Sequence, residues 1–127
     1  MGFVFFLDDD RLVAEGTLTA AMQGPPGHAH GGSLAAVMDE AMGRLLWERG
    51  YCVVAARLEF DYRAPTPLQV PLRVEAEMLP RRKRSIPTTA RIVLPDGTVS
   101  VEARGVFVEM GQGFFEKFGD FWGKPSE

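Results

Sequence analysis

The spacing of apolar residues changes partway along this chain, and that change limits the folds it can adopt. Over residues 32–49 apolar side chains recur at helical spacing, which predicts an amphipathic α-helix. Gly31-Gly32-Ser33 marks the start of this helix, and Arg49-Gly50 marks its end with a basic residue and a terminating glycine. From residue 57 onward apolar and polar residues alternate, which is the pattern of half-buried β-strands. The chain therefore combines a long helix with several strands.

Short connections separate the predicted strands, which are expected over 3–7, 12–19, 57–63, 70–78, 88–94 and 98–110. Pro95-Asp96-Gly97 joins the last two as a hairpin turn. Within the last strand the alternation changes phase at Val106 and Val108, and a β-bulge is expected near Gly105. Connections this short exclude parallel crossovers, so the fold class is α+β, an antiparallel sheet packed on a helix.

Length, charge and cysteine content narrow the class of protein. The 127 residues are enough for a single domain spanning 1–127. The net charge of −3 gives no support for binding nucleic acid or a membrane surface, and no run approaches the ~20 apolar residues of a membrane span. Cys52, the single cysteine, cannot form an internal disulfide, which favours a reducing, cytoplasmic location. Two histidines without a neighbouring cysteine do not predict a metal site, and no cofactor is expected.

Asp39 is a helix carboxylate that does not fit the solvent-facing pattern. On a helical wheel it lies about 120° from the centre of a charged stripe, which holds Ser33, Val37, Glu40, Arg44 and Glu48. Small residues surround it one turn away: Ala35, Ala36 and Gly43. Burying a carboxylate is costly unless it is paired, so a carboxylate in such a hollow is a candidate general base or nucleophile. The alternative is a structural aspartate that caps a loop or pairs with Arg57 or Arg63.

His30-Gly31-Gly32 opens the same helix. Free amides at a helix N-terminus, beside glycines that let a ligand approach the backbone, can bind an anion or a developing oxyanion. The alternative is that these glycines only form a turn. His28 is expected to be an ordinary loop residue.

Residues 24–41, GPPGHAHGGSLAAVMDEA, resemble the signature of hotdog-fold acyl-CoA thioesterases, in particular the phenylacetate-pathway thioesterases and the human mitochondrial acyl-CoA thioesterase relatives. The pattern has His-Gly-Gly at the helix start and an acidic residue nine positions after the histidine, here Asp39. Asp61-Tyr62-Arg63-Ala64-Pro65 also resembles the family, and the similarity extends over about residues 24–110.

The resemblance implies a long helix wrapped by a curved antiparallel sheet, and hydrolysis of an acyl-CoA in which coenzyme A is part of the substrate. By the same likeness Asp39 attacks the carbonyl or activates water. The Gly31 amide, helped by Gly32, stabilises the oxyanion, and His30 orients the loop or polarises the substrate. Arg63 is expected to contact the substrate.

The distance between Gly31 and Asp39 along the helix predicts that the protein is a homodimer. Gly31 and Asp39 are eight residues apart, which along one helix is roughly 12 Å. Because groups so far apart cannot reach one carbonyl, the site must join Gly31 of one chain to Asp39 of another across an isologous interface. The dimer, alone or paired into a tetramer, is expected to be required for activity.

Two positions depart from the family pattern. Some relatives place an asparagine six residues before the histidine and a serine or threonine sixteen residues after the acid, where this chain has Gly24 and Ala55. Both changes remove groups that orient water. They favour an alternative, a non-catalytic acyl-CoA or lipid-binding dimer. A third hypothesis is a dehydratase or hydratase that uses His30 and Asp39.

Two further segments have open assignments. Arg81-Arg82-Lys83-Arg84 is a dense basic cluster between strands. It is either a solvated turn or, through Arg82, Lys83 and Arg84, a partner for the phosphates of coenzyme A. The tail over 113–122 carries aromatic residues at helical spacing, which predicts an amphipathic helix that docks on the body or on a partner subunit. A lid over the acyl pocket is the alternative.

Overall fold

The computed structural model describes residues 3–8, 11–111 and 113, and within them a helix and six strands. The elements in chain order are β1 (Phe3–Asp8), β2 (Arg11–Gly16), a short 3₁₀ turn (Ala20–Met22), α1 (Gly31–Glu48), β3 (Val53–Tyr62), β4 (Leu72–Met78), β5 (Ser85–Val93) and β6 (Val99–Glu109). The predicted helix and all six predicted strands are confirmed. The tail expected over 113–122 lies outside the described residues apart from Gly113, and its assignment stays a prediction.

The strands form one antiparallel sheet in the order β1-β2-β4-β5-β6-β3. The helix α1 packs against β2, β3, β4, β5 and β6. This arrangement is the hotdog architecture, and the fold prediction is confirmed. β3 pairs with β6 alone, so its other edge is unpaired in the described protomer.

Three strand ends differ from the prediction by three residues or more, and one of them is the start of β5, which lies at Ser85 and not at residue 88. The second strand ends at Gly16 and not at residue 19, although Leu18 beyond it is buried and so continues the apolar pattern. The third strand begins at Val53 and not at residue 57. Its first four residues, VVAA, contain no polar alternation from which a strand could be predicted.

The buried face of α1 is wider than the helical wheel of the sequence predicted. Its buried side chains are those of Leu34, Val37, Met38, Ala41, Met42, Leu45 and Leu46. Val37 was placed in the charged stripe, and this placement is wrong, because Val37 is only 5% exposed. The sheet contacts the helix from several strands at once and so covers more than one flank. Arg44 and Glu48 do form the expected exposed pair, at 3.8 Å.

The bulge predicted in the last strand near Gly105 lies on the partner strand β3 instead. Along β6 the alternate residues Val101, Ala103, Gly105 and Phe107 are all buried, so the strand keeps its phase. Val106 and Val108 are apolar residues of the opposite face, where Val106 adjoins Leu79 and Pro87. One register shift does lie beside Gly105 in the ladder, but on β3, between Ala55 and Arg57, which pair with Phe107 and Val106. The other lies between Ile92 and Val93 of β5.

Among the helices of the described residues, none combines the length and the hydropathy needed to cross a membrane.

Candidate active site

The loop before α1 is tied to the chain that follows β3. The His30 N–H donates to the Met22 carbonyl at 2.7 Å, and the Ala29 N–H donates to the Thr66 carbonyl at 2.9 Å. Thr66 is buried and its hydroxyl donates to the Ser100 hydroxyl at 2.8 Å. The bond of His30 fixes the N-terminus of α1 against the 3₁₀ turn, and the bonds of Ala29 and Thr66 fix it against the chain after β3 and the start of β6.

His30 is the N-cap of α1 and uses up most of the amides of the first turn. Its carbonyl accepts from the Ser33 and Leu34 amides at 3.0 and 3.2 Å. Its Nδ1 atom accepts from the Gly32 amide at 2.9 Å. Within the described part of the chain the Gly31 N–H has no acceptor, so it is the first-turn donor left for a ligand.

The bond to Gly32 also decides which nitrogen of His30 can donate. Because Nδ1 accepts, the neutral imidazole carries its proton on Nε2, which leaves an N–H on the exposed side chain for a substrate. Gly32 permits this close approach, since a Cβ there would lie 3.0 Å from Nδ1.

Tyr62 completes the surroundings of Gly31. Its hydroxyl donates to the Gly31 carbonyl at 2.9 Å, and a Cβ on Gly31 would lie 3.6 Å from its ring. Tyr62 was not among the predicted site residues, although the segment that contains it carries the family likeness. The strand alternation gave a usable signal, because Leu58, Phe60 and Tyr62 share one face of β3.

A pocket of about 350 Å³ opens beside Gly31, lined by Pro25, His28, Ala29, Gly31, Leu34, Tyr62, Arg63, Ala64, Pro65 and Thr66. The structure therefore places Gly31 and Arg63 in the lining of one pocket. Contact of Arg63 with a substrate stays a prediction. The guanidinium of Arg63 is half exposed and pairs with Glu102 at 3.0 Å.

Asp39 lies in the middle of α1, half-buried at the edge of the helix face that contacts the sheet. Burial raises the pKa of its carboxyl, and the neighbouring charge of Glu40 raises it further. Its carboxylate has no hydrogen bond or ion pair to any described residue. Arg57 pairs with Glu59 at 2.7 Å and Arg63 pairs with Glu102, so neither arginine is the partner that a structural aspartate would need.

The position sixteen residues after Asp39 lies on the unpaired edge strand. Ala55 pairs with Phe107 of β6, whose buried side chain faces α1, so Ala55 also faces the helix side. Ala55 and Ala56 are both exposed in the protomer.

The basic cluster lies at the opposite end of the sheet from Gly31. It occupies the turn between β4 and β5, where Ser85 pairs with Val108, whereas Tyr62 pairs with Val101 at the other end of β6. Seven residues of β6 separate these points, which is roughly 23 Å along a strand. One protomer therefore does not bring Arg82, Lys83 and Arg84 near Gly31. Arg84 also donates from Nε to the Glu109 carbonyl.

Across the described residues, histidine, cysteine and carboxylate side chains do not form a group of three that could hold a metal ion.

A helix wrapped by an antiparallel sheet, with a free N-terminal amide and a half-buried carboxylate on that helix, defines a hotdog protein with a site suited to an oxyanion. The chain belongs to the thioesterase superfamily, whose family model matches residues 26–101. It is 32% identical over 116 residues to the acyl-coenzyme A thioesterase THEM4 of Bos taurus, covering 87% of this chain. The chain spans about half the length of that relative, 47%.

Solved structures agree with this assignment. A crystal structure of a thioesterase superfamily protein superposes with a TM-score of 0.80 at 36% identity, covering 84% of this chain and 55% of that one. The Escherichia coli PaaI protein from the phenylacetic acid degradation operon superposes with a TM-score of 0.80 at 23% identity, covering 87% of this chain and 80% of that one. The second likeness concerns the fold alone.

Proposed function

We propose that this protein is an acyl-CoA thioesterase that hydrolyses its substrate to a free acid and coenzyme A. The observation that carries the proposal is that α1 holds both an unused N-terminal amide, at Gly31, and a half-buried, unpaired carboxylate, at Asp39. The acyl-CoA substrate class is supported by the name of the bovine relative.

The proposed site is shared between two protomers. Gly31 and Asp39 are at opposite ends of an eight-residue span of one helix, roughly 12 Å apart along its axis. In an isologous homodimer with antiparallel helices, Gly31 of one protomer faces Asp39 of its partner, and two equivalent sites result. Association at this face is supported by the unpaired edge of β3, where Ala55 and Ala56 of that strand are exposed.

The chemistry assigned to these groups is addition to the thioester followed by loss of the thiolate. Asp39 takes a proton from water as the water oxygen bonds to the carbonyl carbon, and the Gly31 N–H stabilises the oxyanion. When the carbonyl re-forms, the C–S bond breaks and Asp39 returns the proton to the leaving sulfur. Direct attack by Asp39 would instead form a mixed anhydride, which water then cleaves. A raised pKa makes the carboxylate a stronger base, which favours the first route.

Supporting roles follow from the same geometry. The Nε2–H of His30 is available to polarise the substrate carbonyl, while Gly32 contributes by holding Nδ1 and not as a second oxyanion donor. The pocket beside Gly31 receives substrate, with Arg63 on its rim.

Coenzyme A binding is assigned to the basic cluster of the other subunit. In the antiparallel dimer the β4–β5 turn of one protomer approaches the Gly31 end of its partner, because the start of one β3 lies near the end of the other. Arg82, Lys83 and Arg84 then contact the phosphates of the substrate.

Subunit complementation tests this proposal. Homodimers of Asp39→Asn and of Gly31→Pro are each expected to be inactive in release of free thiol from a panel of acyl-CoAs. Mixed dimers formed by unfolding and refolding the two variants together recover activity, because one of the two sites then combines an intact Gly31 with an intact Asp39. A double variant, Gly31→Pro with Asp39→Asn on one chain, recovers nothing when mixed with either single variant. Failure of the wild type to hydrolyse any acyl-CoA would reject the activity, and absence of recovery would reject the shared site.

A non-catalytic acyl-CoA or lipid-binding dimer is the second candidate, favoured by the lack of a hydroxyl at Ala55 and of a side chain at Gly24. It predicts ligand-induced thermal stabilisation without turnover, little changed in Asp39→Asn.

A further inference from the structure

We infer that Tyr62 is a positioning residue for the oxyanion donor, acting through the peptide group between Gly31 and Gly32. This inference rests on the proposed function, because it assigns a task to a residue that does not itself donate to the substrate. The evidence is a pair of hydrogen bonds that hold the two ends of one peptide group.

The two bonds come from different parts of the chain. The carbonyl end of the peptide group, Gly31 O, accepts from the Tyr62 hydroxyl at 2.9 Å. The amide end, Gly32 N, donates to His30 Nδ1 at 2.9 Å. A glycine has no side chain to restrict its backbone, so at Gly31 and Gly32 these external bonds restrict the orientation of the peptide group.

Tyr62 is itself firmly placed. It pairs with Val101 in the last position of β3, and the next two amides, of Arg63 and Ala64, donate to the Ser100 carbonyl at 2.8 and 3.1 Å. The anchor of the peptide group is therefore the sheet, 31 residues away in sequence, and not the helix that the peptide group begins.

Holding this peptide group restricts the direction of the preceding N–H. The Gly31 N–H belongs to the preceding His30–Gly31 peptide group, whose carbonyl accepts from the Ser33 and Leu34 amides. The two peptide groups meet at the Gly31 α-carbon, so fixing the second group limits the φ and ψ angles open to Gly31 and with them the direction of its N–H. The Tyr62 ring also lies 3.6 Å from the position that a Cβ of Gly31 would take, and it lines the pocket. The hydroxyl thus supplies orientation, and the ring supplies a wall that limits water.

The test compares Tyr62→Phe with Tyr51→Phe, the matched change at the only other tyrosine. Tyr51 is a suitable control because its ring contacts Arg81, in the turn distant from Gly31 of the same protomer. Both variants are assayed with an acyl-N-acetylcysteamine thioester, which has no nucleotide for that turn to bind. In Tyr62→Phe the ring remains, so KM is expected to stay within about twofold while kcat falls about three- to tenfold. The acid limb of the pH–rate profile, which reports Asp39, is expected not to move. Tyr51→Phe is expected to change neither kcat nor KM.

A second readout does not depend on activity. In Tyr62→Phe the backbone amide resonances of Gly31 and Gly32 are expected to shift and their hydrogen exchange to accelerate, while the melting temperature and dimer mass stay those of the wild type. Unchanged kcat together with unchanged glycine resonances would overturn the inference. If the wild type hydrolyses no thioester, the proposed function fails, and the glycine resonances still decide whether Tyr62 holds the peptide group.

Discussion

Asp39 and Glu40 are adjacent carboxylates on α1, yet Asp39 is half-buried at the edge of the packed face while Glu40 is exposed. Burial, and then the charge of Glu40, raise the pKa of Asp39. Because catalysis requires the ionised carboxylate, activity is expected to rise with pH through a pKa above the usual range for aspartate.

The first prediction concerns Asp39→Asn. Removing the base is expected to lower kcat by about 10²–10⁴-fold, whereas Glu40→Gln retains most of the activity and moves the acid limb to lower pH. The measurement is the pH dependence of thiol release in the two variants. Equal loss of activity in both would contradict the role of Asp39.

The same raised pKa has a consequence for stability. The folded state binds a proton at Asp39 more tightly than the unfolded state, so the ionised carboxylate costs stability at neutral pH. Asp39→Asn is therefore expected to raise the melting temperature at neutral pH. That gain should disappear in acid below the unfolded-state pKa, where Asp39 is protonated in both states.

The second prediction removes a single amide hydrogen. Gly31 is the first residue of α1, a position that accepts proline, and His30 before it has φ −71° and ψ 138°, as a residue preceding proline requires. Gly31→Pro is expected to lower kcat about 10²–10³-fold while circular dichroism stays unchanged. Gly31→Ala, which keeps the N–H, is the control. Similar kinetics for the two variants would exclude Gly31 as the oxyanion donor.

The third prediction restores a hydroxyl at Ala55. This residue faces the helix side of β3 and is exposed in the protomer, and the family resemblance places serine or threonine there. Ala55→Ser is expected to raise kcat about three- to tenfold by orienting water. Ala56→Ser, on the neighbouring exposed residue, serves as the control. A gain in both variants, or in neither, would mean that position 55 does not orient the attacking water.

The fourth prediction distinguishes binding of the nucleotide part of coenzyme A from binding of the thioester part. Arg82→Gln with Lys83→Gln is expected to raise KM for acyl-CoA about three- to tenfold through lost phosphate contacts. KM for the matching acyl-N-acetylcysteamine thioester, which has no nucleotide, is expected to stay constant. A parallel rise with both substrates would show that the turn acts on folding or assembly instead.

Periodicity was sufficient to predict α1 and the six strands, because each element is amphipathic enough to show which face it buries. Gly31 and Asp39 could be singled out because one opens the helix and the other interrupts its pattern. The hydrogen bond between Tyr62 and Gly31 could not be predicted, since it joins residues 31 positions apart whose proximity depends on the sheet. The hydrogen bond from the Gly32 amide to His30 Nδ1 could not be predicted either, because the sequence does not determine the direction in which the His30 side chain points.

The bulge prediction failed for a related reason. Apolar residues on the outer face of a sheet give the same pattern as a change of phase, and Val106 and Val108 are of this kind. Pattern alone does not separate these two causes.

The close contact between Gly24 and His30 restricts which substitutions the loop before α1 can accept. A Cβ at this position would lie 2.9 Å from the α-carbon of His30, so no side chain fits without displacing that residue. Replacing Gly24 with the asparagine found in some relatives would thus displace His30, a neighbour of the proposed oxyanion donor. Mutation and selection can therefore change this site more readily along the edge strand, where Ala55 is exposed, than in the loop.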